Sequence, residues 1–255
     1  MILAVDIGNS NIIAGCISAD KISCIERLST NSALTPVEYA MRIKTILDMY
    51  GIDFMNIEGS IISSVVPQLT PVLEEALFKL LRVKPLIVGP GLKTGINIRI
   101  DDPGQLGSSL LVSSVAAMAE HEPPFIVIEM GTATTFCTVN RQRQYIGGVI
   151  CAGVRTALDS LVSKTSLLHQ VTLEEPGNII GRNTIDGVKS GMIYGTAACI
   201  DGVIERIESE LKEKCALIAT GRFASIVIPH CKRKIVIDQE LIIKGLRVIY
   251  EKNRK

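Results

Sequence analysis

Two stretches of this chain, half its length apart, carry one pattern, and that pattern restricts the chain to a duplicated fold. Residues Ala4, Val5, Asp6, Ile7, Gly8, Asn9, Ser10 and Asn11 can be laid over Ile128, Glu129, Met130, Gly131, Thr132, Ala133 and Thr134. Each copy is the end of an apolar strand, an acid, one residue, a glycine, then small polar residues that lead into another strand. The surroundings repeat as well. Ile2–Asp6, Ile12–Ile17 and Ser23–Leu28 read as three consecutive strands, and Phe125–Glu129, Thr134–Val139 and Tyr145–Ile150 as three more. After the first trio, residues 36–50 show the helical period behind Thr35 as N-cap, with Gly51 past the end. Residues 59–64 and 85–88 read as short strands, and 70–81 and 105–120 as helices, the latter apolar on most of its surface. Duplication of one unit, three strands followed by helix, strand and helix, accounts for this more simply than coincidence. The expected class is α/β, with an N-terminal lobe over residues 1–120 and a C-terminal lobe over 121–255. The break falls at His121-Glu122-Pro123-Pro124, and the last helix is free to cross back.

The repeated turn has a chemical reading. A glycine lets backbone N–H groups approach an anion, hydroxyl and amide side chains donate to it, and a carboxylate at the strand end can hold Mg²⁺. Two such turns suit a nucleotide triphosphate gripped from both sides. A single copy would be an ordinary tight hairpin. Composition narrows the partners. Lys plus Arg number 27 against 26 acids, a formal charge of +1, which lacks the basic excess of a nucleic-acid binder. Aromatic residues make up 4% and Trp is absent, too few for a base-stacking platform. The longest apolar run, residues 110–119, is broken by Ser113 and Ser114 and is shorter than the roughly 18 residues a membrane span needs. The first residues carry no basic leader, and seven cysteines without a C-x-x-C pair read as reduced thiols. A soluble, cytoplasmic protein is expected, without nucleic-acid or membrane partners.

Other segments carry weaker signals. Gly89-Pro90-Gly91-Leu92-Lys93-Thr94 has the wrong spacing for a phosphate-binding P-loop and reads as a turn. No G-x-G-x-x-G follows a strand, so a dinucleotide fold is unsupported. Lys232-Arg233-Lys234 reads as a solvated face, His169 and His230 as surface residues, and Asp101-Asp102 as an acidic turn before Pro103. Ala219-Thr220-Gly221 closes a strand and opens a helix, which suits a nucleotide contact.

Several motifs, in order, resemble those of type III pantothenate kinases, a family that includes Baf-like accessory proteins. They are Asp6-Ile7-Gly8-Asn9-Ser10, Ser63-Ser64-Val65-Val66-Pro67, residues 88–95, Gly131-Thr132-Ala133-Thr134-Thr135-Phe136, Gly147-Gly148, Ile180-Gly181-Arg182-Asn183-Thr184 and residues 240–251. The resemblance implies the duplicated fold shared by acetate kinase, sugar kinases, heat-shock chaperones and actin. It implies a homodimer that uses ATP, Mg²⁺ and a monovalent cation (K⁺ or NH₄⁺) to phosphorylate pantothenate, the first step towards coenzyme A. Carried over by position, Asp6 is the Mg²⁺-associated carboxylate and Gly8, Asn9, Ser10 and Asn11 form the first ATP-binding loop. Gly131, Thr132, Ala133 and Thr134 form the second, with Glu129 at the monovalent-cation position and Gly221 opening the adenosine loop. Gly107, Ser108 and Leu110, with Ile100, fall at the acceptor site, which Thr184 reaches from the neighbouring subunit.

The departures from the family pattern gather on the chemistry. Ser109 stands where the family has its catalytic Asp, Leu110 where it has Arg, and Ile100 where it has Tyr. Glu129 replaces Asp, Cys137 replaces Asp, Ala152 replaces Pro, and Arg222 replaces the second Gly of the adenosine loop. A serine hydroxyl is no base near neutral pH, so catalysis is expected to be impaired. Three alternatives stay open: a kinase whose base comes from Asp101 or Asp102, a silent subunit paired with an intact paralogue, and a nucleotide-binding regulatory protein of the Baf kind. The more apolar acceptor end also leaves room for a small acceptor related to pantothenate.

Overall fold

The computed structural model describes residues 1–19, 21–165, 168 and 170–254, so that His169 lies outside it. The first trio of strands is β1 (Ile2–Ile7), β2 (Asn11–Ser18) and β3 (Lys21–Ser29). Helix α1 (Pro36–Met49) follows, then β4 (Gly59–Ser64), α2 (Thr70–Leu81) and β5 (Leu86–Ile87). The sheet order is β3-β2-β1-β4-β5, antiparallel within the trio and parallel from β1 through β4 to β5. The second half repeats it. Strands β7 (Phe125–Met130), β8 (Ala133–Val139) and β9 (Gln144–Ala152) make the antiparallel trio, and β10 (Ala216–Thr220) and β11 (Val236–Ile237) run parallel to β7. Its order, β9-β8-β7-β10-β11, matches the first sheet strand for strand, with β6 (Asn97–Ile98) added at the β9 edge. The duplication expected from two short turns therefore extends to the whole topology.

Local chemistry sets the elements. In α1 the Glu38 N–H donates to Thr35 Oγ1 at 3.4 Å and the Thr35 N–H to Glu38 Oε2 at 2.8 Å, a capping box ahead of Pro36. Tyr39, Ile43, Ile46 and Leu47, at helical spacing, bury its inner face. The helix expected from residue 105 begins later, as α3 (Ser108–Glu120), because Asp102 caps a separate short turn over Pro103–Gln105. Helices α4 (Val154–Ser163), α5 (Thr184–Leu211) and α6 (Ala224–Val227) belong to the second half, and α7 (Leu241–Asn253) closes the chain.

Contacts group Met1–Ile96, Asp101–Ala119 and Glu240–Lys255 in one compact unit, and Asn97–Ile100 with Glu120–Gln239 in the other. Helix α7 belongs to the first because its apolar face, Leu241, Ile242, Ile243, Leu246 and Ile249, is buried there. Gly245 permits this, since a side chain at that position would begin 2.1 Å from the Val112 carbonyl oxygen of α3. Residues 97–100 join the second unit through the pairing of β6 with β9. Among the described residues no helix is long and apolar enough to cross a membrane.

Two surface readings change. Arg233 is a partly solvated charge with a structural partner: its guanidinium donates to both oxygens of buried Glu208, at 2.9 and 2.7 Å, while Lys214 Nζ and the Cys215 N–H add bonds of 2.7 and 3.1 Å. His230 is half-buried, edge-on to the Tyr194 ring at 4.9 Å. The Gly89–Thr94 segment is a turn, tied to α7 by Asn253, which accepts from the Lys93 N–H and donates to its carbonyl, both at 2.9 Å.

Candidate functional site

Asp6, the next-to-last residue of β1, faces Ile13 on β2 and Ser63 on the parallel strand β4. Its side chain is buried, and the fully buried Ser63 donates its hydroxyl to Asp6 Oδ1 at 2.6 Å. Burial raises the Asp6 pKa to about 6, against the Ser63 hydrogen bond and the Arg27 charge, which both favour the carboxylate. Beyond it the chain turns tightly. The Gly8 N–H donates to the Asn11 carbonyl at 2.9 Å, and a side chain at Gly8 would begin 3.0 Å from that oxygen. Thr30 braces the turn from the end of β3, with its hydroxyl on the Gly8 carbonyl at 2.7 Å and its N–H on Ser10 O at 3.1 Å. Asn9 and Ser10 stand exposed at the tip.

The second turn repeats the plan. Glu129 on β7 faces Thr135 on β8 and Thr220 on the parallel strand β10, so an acid and a hydroxyl residue are parallel neighbours in both sheets. The Gly131 N–H closes the turn on the Ala133 carbonyl at 2.9 Å. Thr132 is the exposed tip, whereas Thr134, 2% exposed, is already inside β8. Helix α4 sits on this turn: the Gly153 N–H and the Thr156 hydroxyl both donate to Thr132 O, at 3.1 and 2.7 Å. A side chain at 153 would begin 2.3 Å from Gly131 O, so the approach requires glycine.

Gly221, just past β10, has φ +98°, and a side chain there would begin 2.6 Å from Met130 O. Arg222 and Phe223 follow, the guanidinium 5.8 Å from the ring centroid. They line a cavity of about 520 Å³ with Arg155, Val171, Thr172 and Ile226. Arg155, from the first turn of α4, is held by Asp159 at 2.9 Å. Two of the elements that line the cavity also touch the second turn region, the segment after β10 through Gly221 against Met130 and α4 through Thr156 on Thr132.

The acceptor-motif residues divide between the two units. Gly107 precedes α3 and Ser108 opens it, with Ser109 and Leu110 half-buried in its first turn. Ser108 Oγ lies 3.1 Å from Ser63 Oγ, accepts from the Ser64 N–H at 3.0 Å and donates to the Ser64 carbonyl at 2.8 Å. Asp102 is occupied as a cap, accepting from the Gly104 N–H at 2.9 Å and Gln105 Nε2 at 3.0 Å. Ile100 belongs to the second unit, beside Gly147. Thr184 is the exposed first residue of α5, behind its N-cap Asn183. Gly181 lets the preceding loop cross that helix start, where a side chain would begin 2.2 Å from the Gly187 nitrogen.

With this geometry in place, comparison with known proteins decides the family. A family model described as type III pantothenate kinase matches residues 2–206. The chain belongs to the type III pantothenate kinase family. A relative named type III pantothenate kinase from Halalkalibacterium halodurans is 39% identical over 253 residues, covering 99% of this chain and all of that one. Another, from Exiguobacterium sp., is 37% identical over 255 residues and covers both chains fully. Solved structures share the fold at low identity. One described as a Baf family transcriptional activator from Campylobacter jejuni superposes with a TM-score of 0.59 at 19% identity, covering 99% of this chain and 98% of that one. The activator of 2-hydroxyisocaproyl-CoA dehydratase from Clostridium difficile, solved with ADPNP, does so with 0.59 at 8% identity, covering 97% and 92%. The fold is the duplicated actin-like ATPase fold.

In this member of the pantothenate kinase family, the sequence marks Ser63 and Thr220 within motifs but does not pair them with the acids. Ser63 and Thr220 both stand at the end of the fourth strand of their repeat, each just before a turn. Aligning the two repeats beyond their first turns would have paired them.

Proposed function

We propose that this chain is an ATP-dependent kinase that phosphorylates pantothenate, or a small acceptor related to it, with catalysis slowed by Ser109. The duplicated acid-and-glycine turn, at equivalent positions of two sheets with one strand order, carries this reading. The turns at 8–11 and 131–134 take the phosphates, and the cavity beside Gly221 and Arg222 takes the nucleoside. A buried carboxylate held by one neutral hydroxyl is the donor chemistry a hard cation prefers, so Asp6 fits Mg²⁺, with Glu129 assigned to the monovalent cation. When bound, Mg²⁺ neutralises phosphate charge.

The acceptor hydroxyl attacks the γ-phosphorus. An O–P bond forms as the bond to the β-bridging oxygen breaks, ADP leaves, and the hydroxyl proton passes to an oxygen of the new phosphate ester. Loss of a general base costs about 10²–10⁴ in rate. Because the transition state is loose, positioning by the turns and by the Ser109 hydroxyl retains the remainder. Thr184 completes the acceptor site of a second copy. Exposed Ile150, Ile179, Ile180 and Ile185, with the glycines 187, 191 and 195 along one side of α5, support a homodimer. A cytoplasmic setting follows from the substrate class.

The first experiment is ADP release by the purified chain with Mg·ATP and K⁺, with and without pantothenate. Pantothenate-dependent turnover is expected, and the Ser109→Asp, Leu110→Arg double variant should raise it. A folded chain that binds ADP but shows no turnover, alone or as the double variant, sinks the kinase reading. The first turn of α3 bears no carboxylate, and this observation favours the second reading, a silent nucleotide-binding paralogue. Such a chain would act as a partner subunit of an intact kinase or as a Baf-like regulator. Formation of heteromers on co-expression with an intact kinase separates those roles.

A further inference from the structure

Two serine hydroxyls join the first turn of α3 to the Asp6 carboxylate, although Asp6, Ser63 and Ser108 are far apart in the chain. Ser63 Oγ lies 2.6 Å from Asp6 Oδ1 and 3.1 Å from Ser108 Oγ. Each serine has one proton, which fixes the pattern. With Asp6 ionised, the Ser63 proton goes to Oδ1. Ser108 then accepts from the Ser64 N–H, and its own proton has two acceptors in reach, the Ser64 carbonyl at 2.8 Å and Ser63 Oγ at 3.1 Å. Both main-chain polar groups of Ser64 therefore grip Ser108, and Ser63 Oγ lies between Asp6 Oδ1 and Ser108 Oγ. Ser63 is fully buried, so no solvent competes for its proton.

We propose that Ser108 is a positioning residue for Asp6, acting through Ser63: it holds the Ser63 hydroxyl on Oδ1 and so keeps Oδ2 turned to the cation that accompanies the nucleotide. This rests on the nucleotide-binding reading above. It also gives the helix that carries Ser109 and Leu110 a direct mechanical hold on the phosphate-side carboxylate. The neighbouring Ser109 does not share the role, because the chain of hydroxyls passes through Ser108 alone.

The test uses the full chain with Mn²⁺ as the probe, its affinity read by electron paramagnetic resonance in saturating ADP. ADP affinity without metal and the melting temperature are measured alongside. Ser108→Ala should weaken Mn²⁺ about fivefold, as loss of one hydrogen bond does, and leave metal-free ADP affinity within about twofold. Ser63→Ala should weaken Mn²⁺ at least as much, and the double variant no more than Ser63→Ala alone. Ser108→Thr, which keeps the hydroxyl, should restore the affinity. If Ser108→Ala lowers the melting point, Ser108→Cys reads the same quantities with an atom kept at the γ position and a weaker donor in place of the hydroxyl. The role is overturned if Ser108→Ala binds Mn²⁺ as the unaltered chain does, if the two losses multiply, or if metal-free ADP weakens equally. An unaltered chain that binds neither Mn²⁺ nor ADP overturns the nucleotide reading itself, and this role with it.

Discussion

The two turns occupy equivalent places in two sheets of one topology, yet they are built differently. The first closes from Gly8 to Asn11 and is braced by Thr30, whereas the second closes one residue sooner, from Gly131 to Ala133, under the start of α4. The first acid is a buried aspartate with a serine on one oxygen; the second is a half-buried glutamate beside a threonine strand. A duplicated backbone thus preserves where an acid and a glycine stand while leaving the braces behind them free to diverge. The two units differ in a second way. Burial pushes the Asp6 carboxyl up, whereas in the other unit burial of Glu208 is outweighed by the Arg233, Lys214 and Cys215 hydrogen bonds, which hold it down at about 2. One unit buries an acid beside a single hydroxyl, the other buries one inside a cluster of ion pairs.

The sharpest way to break the comparison is to neutralise both acids. Asp6→Asn should lower Mg²⁺-dependent turnover about 10²-fold or more, as loss of one electrostatic partner of a transition state does, and Glu129→Gln about tenfold or less. Equal losses in steady-state assays would make the two turns functionally alike. Next comes Glu208→Gln, which leaves Arg233 without its carboxylate and should cost about 2–3 kcal/mol in urea unfolding, less than a fully buried pair because Arg233 is partly solvated. The pH sign follows from the lowered pKa. The Glu208 contribution is complete above the unfolded value of 4.5 and is lost as pH falls through about 2. Stability of the unaltered chain should therefore drop over that window more than that of Glu208→Gln.

A glycine pair gives a smaller effect. Gly153→Ala should cost about 1–3 kcal/mol, because main-chain oxygens of the second turn lie 2.3 and 2.5 Å from the new methyl. Gly8→Ala, with its nearest atom at 3.0 Å, should cost less by urea unfolding, and the reverse order would mean that the first turn is the tighter one. Smallest is Arg222→Ala, expected to weaken ADP about two- to fivefold by calorimetry if the guanidinium holds the base as a cation over a ring does. An unchanged or tighter affinity would place the nucleoside elsewhere or show that Arg222 obstructs it.

Much of the fold was legible because its signals are local. The alternation in 2–6 and 125–129, the capping box at Thr35, and a glycine two positions after each acid depend on neighbours a few residues apart. Helix α5 was not delimited, because Gly187, Gly191, Gly195 and Gly202 dilute its apolar period over 28 residues. Its stability comes from Ile193, Ala197, Ile200 and Ile204 packed on the second sheet. The candidate site was half legible. Its acids and glycines announce themselves by spacing, whereas nothing along the chain says that Ser63 and Ser108 meet beside Asp6.

The amino-acid sequence by itself determined that the chain is a duplicated α/β protein of the type III pantothenate kinase family, with an acid and a glycine at each of two strand ends. Side-chain period and turn chemistry act over a few residues and are written along the chain. Only the tertiary structure decided which residues stand beside those acids, that α7 returns to the first unit, and that Arg233 closes on Glu208. Those pairings form across parallel registers and helix crossings, where packing of distant surfaces chooses the partner and no short-range pattern records the choice.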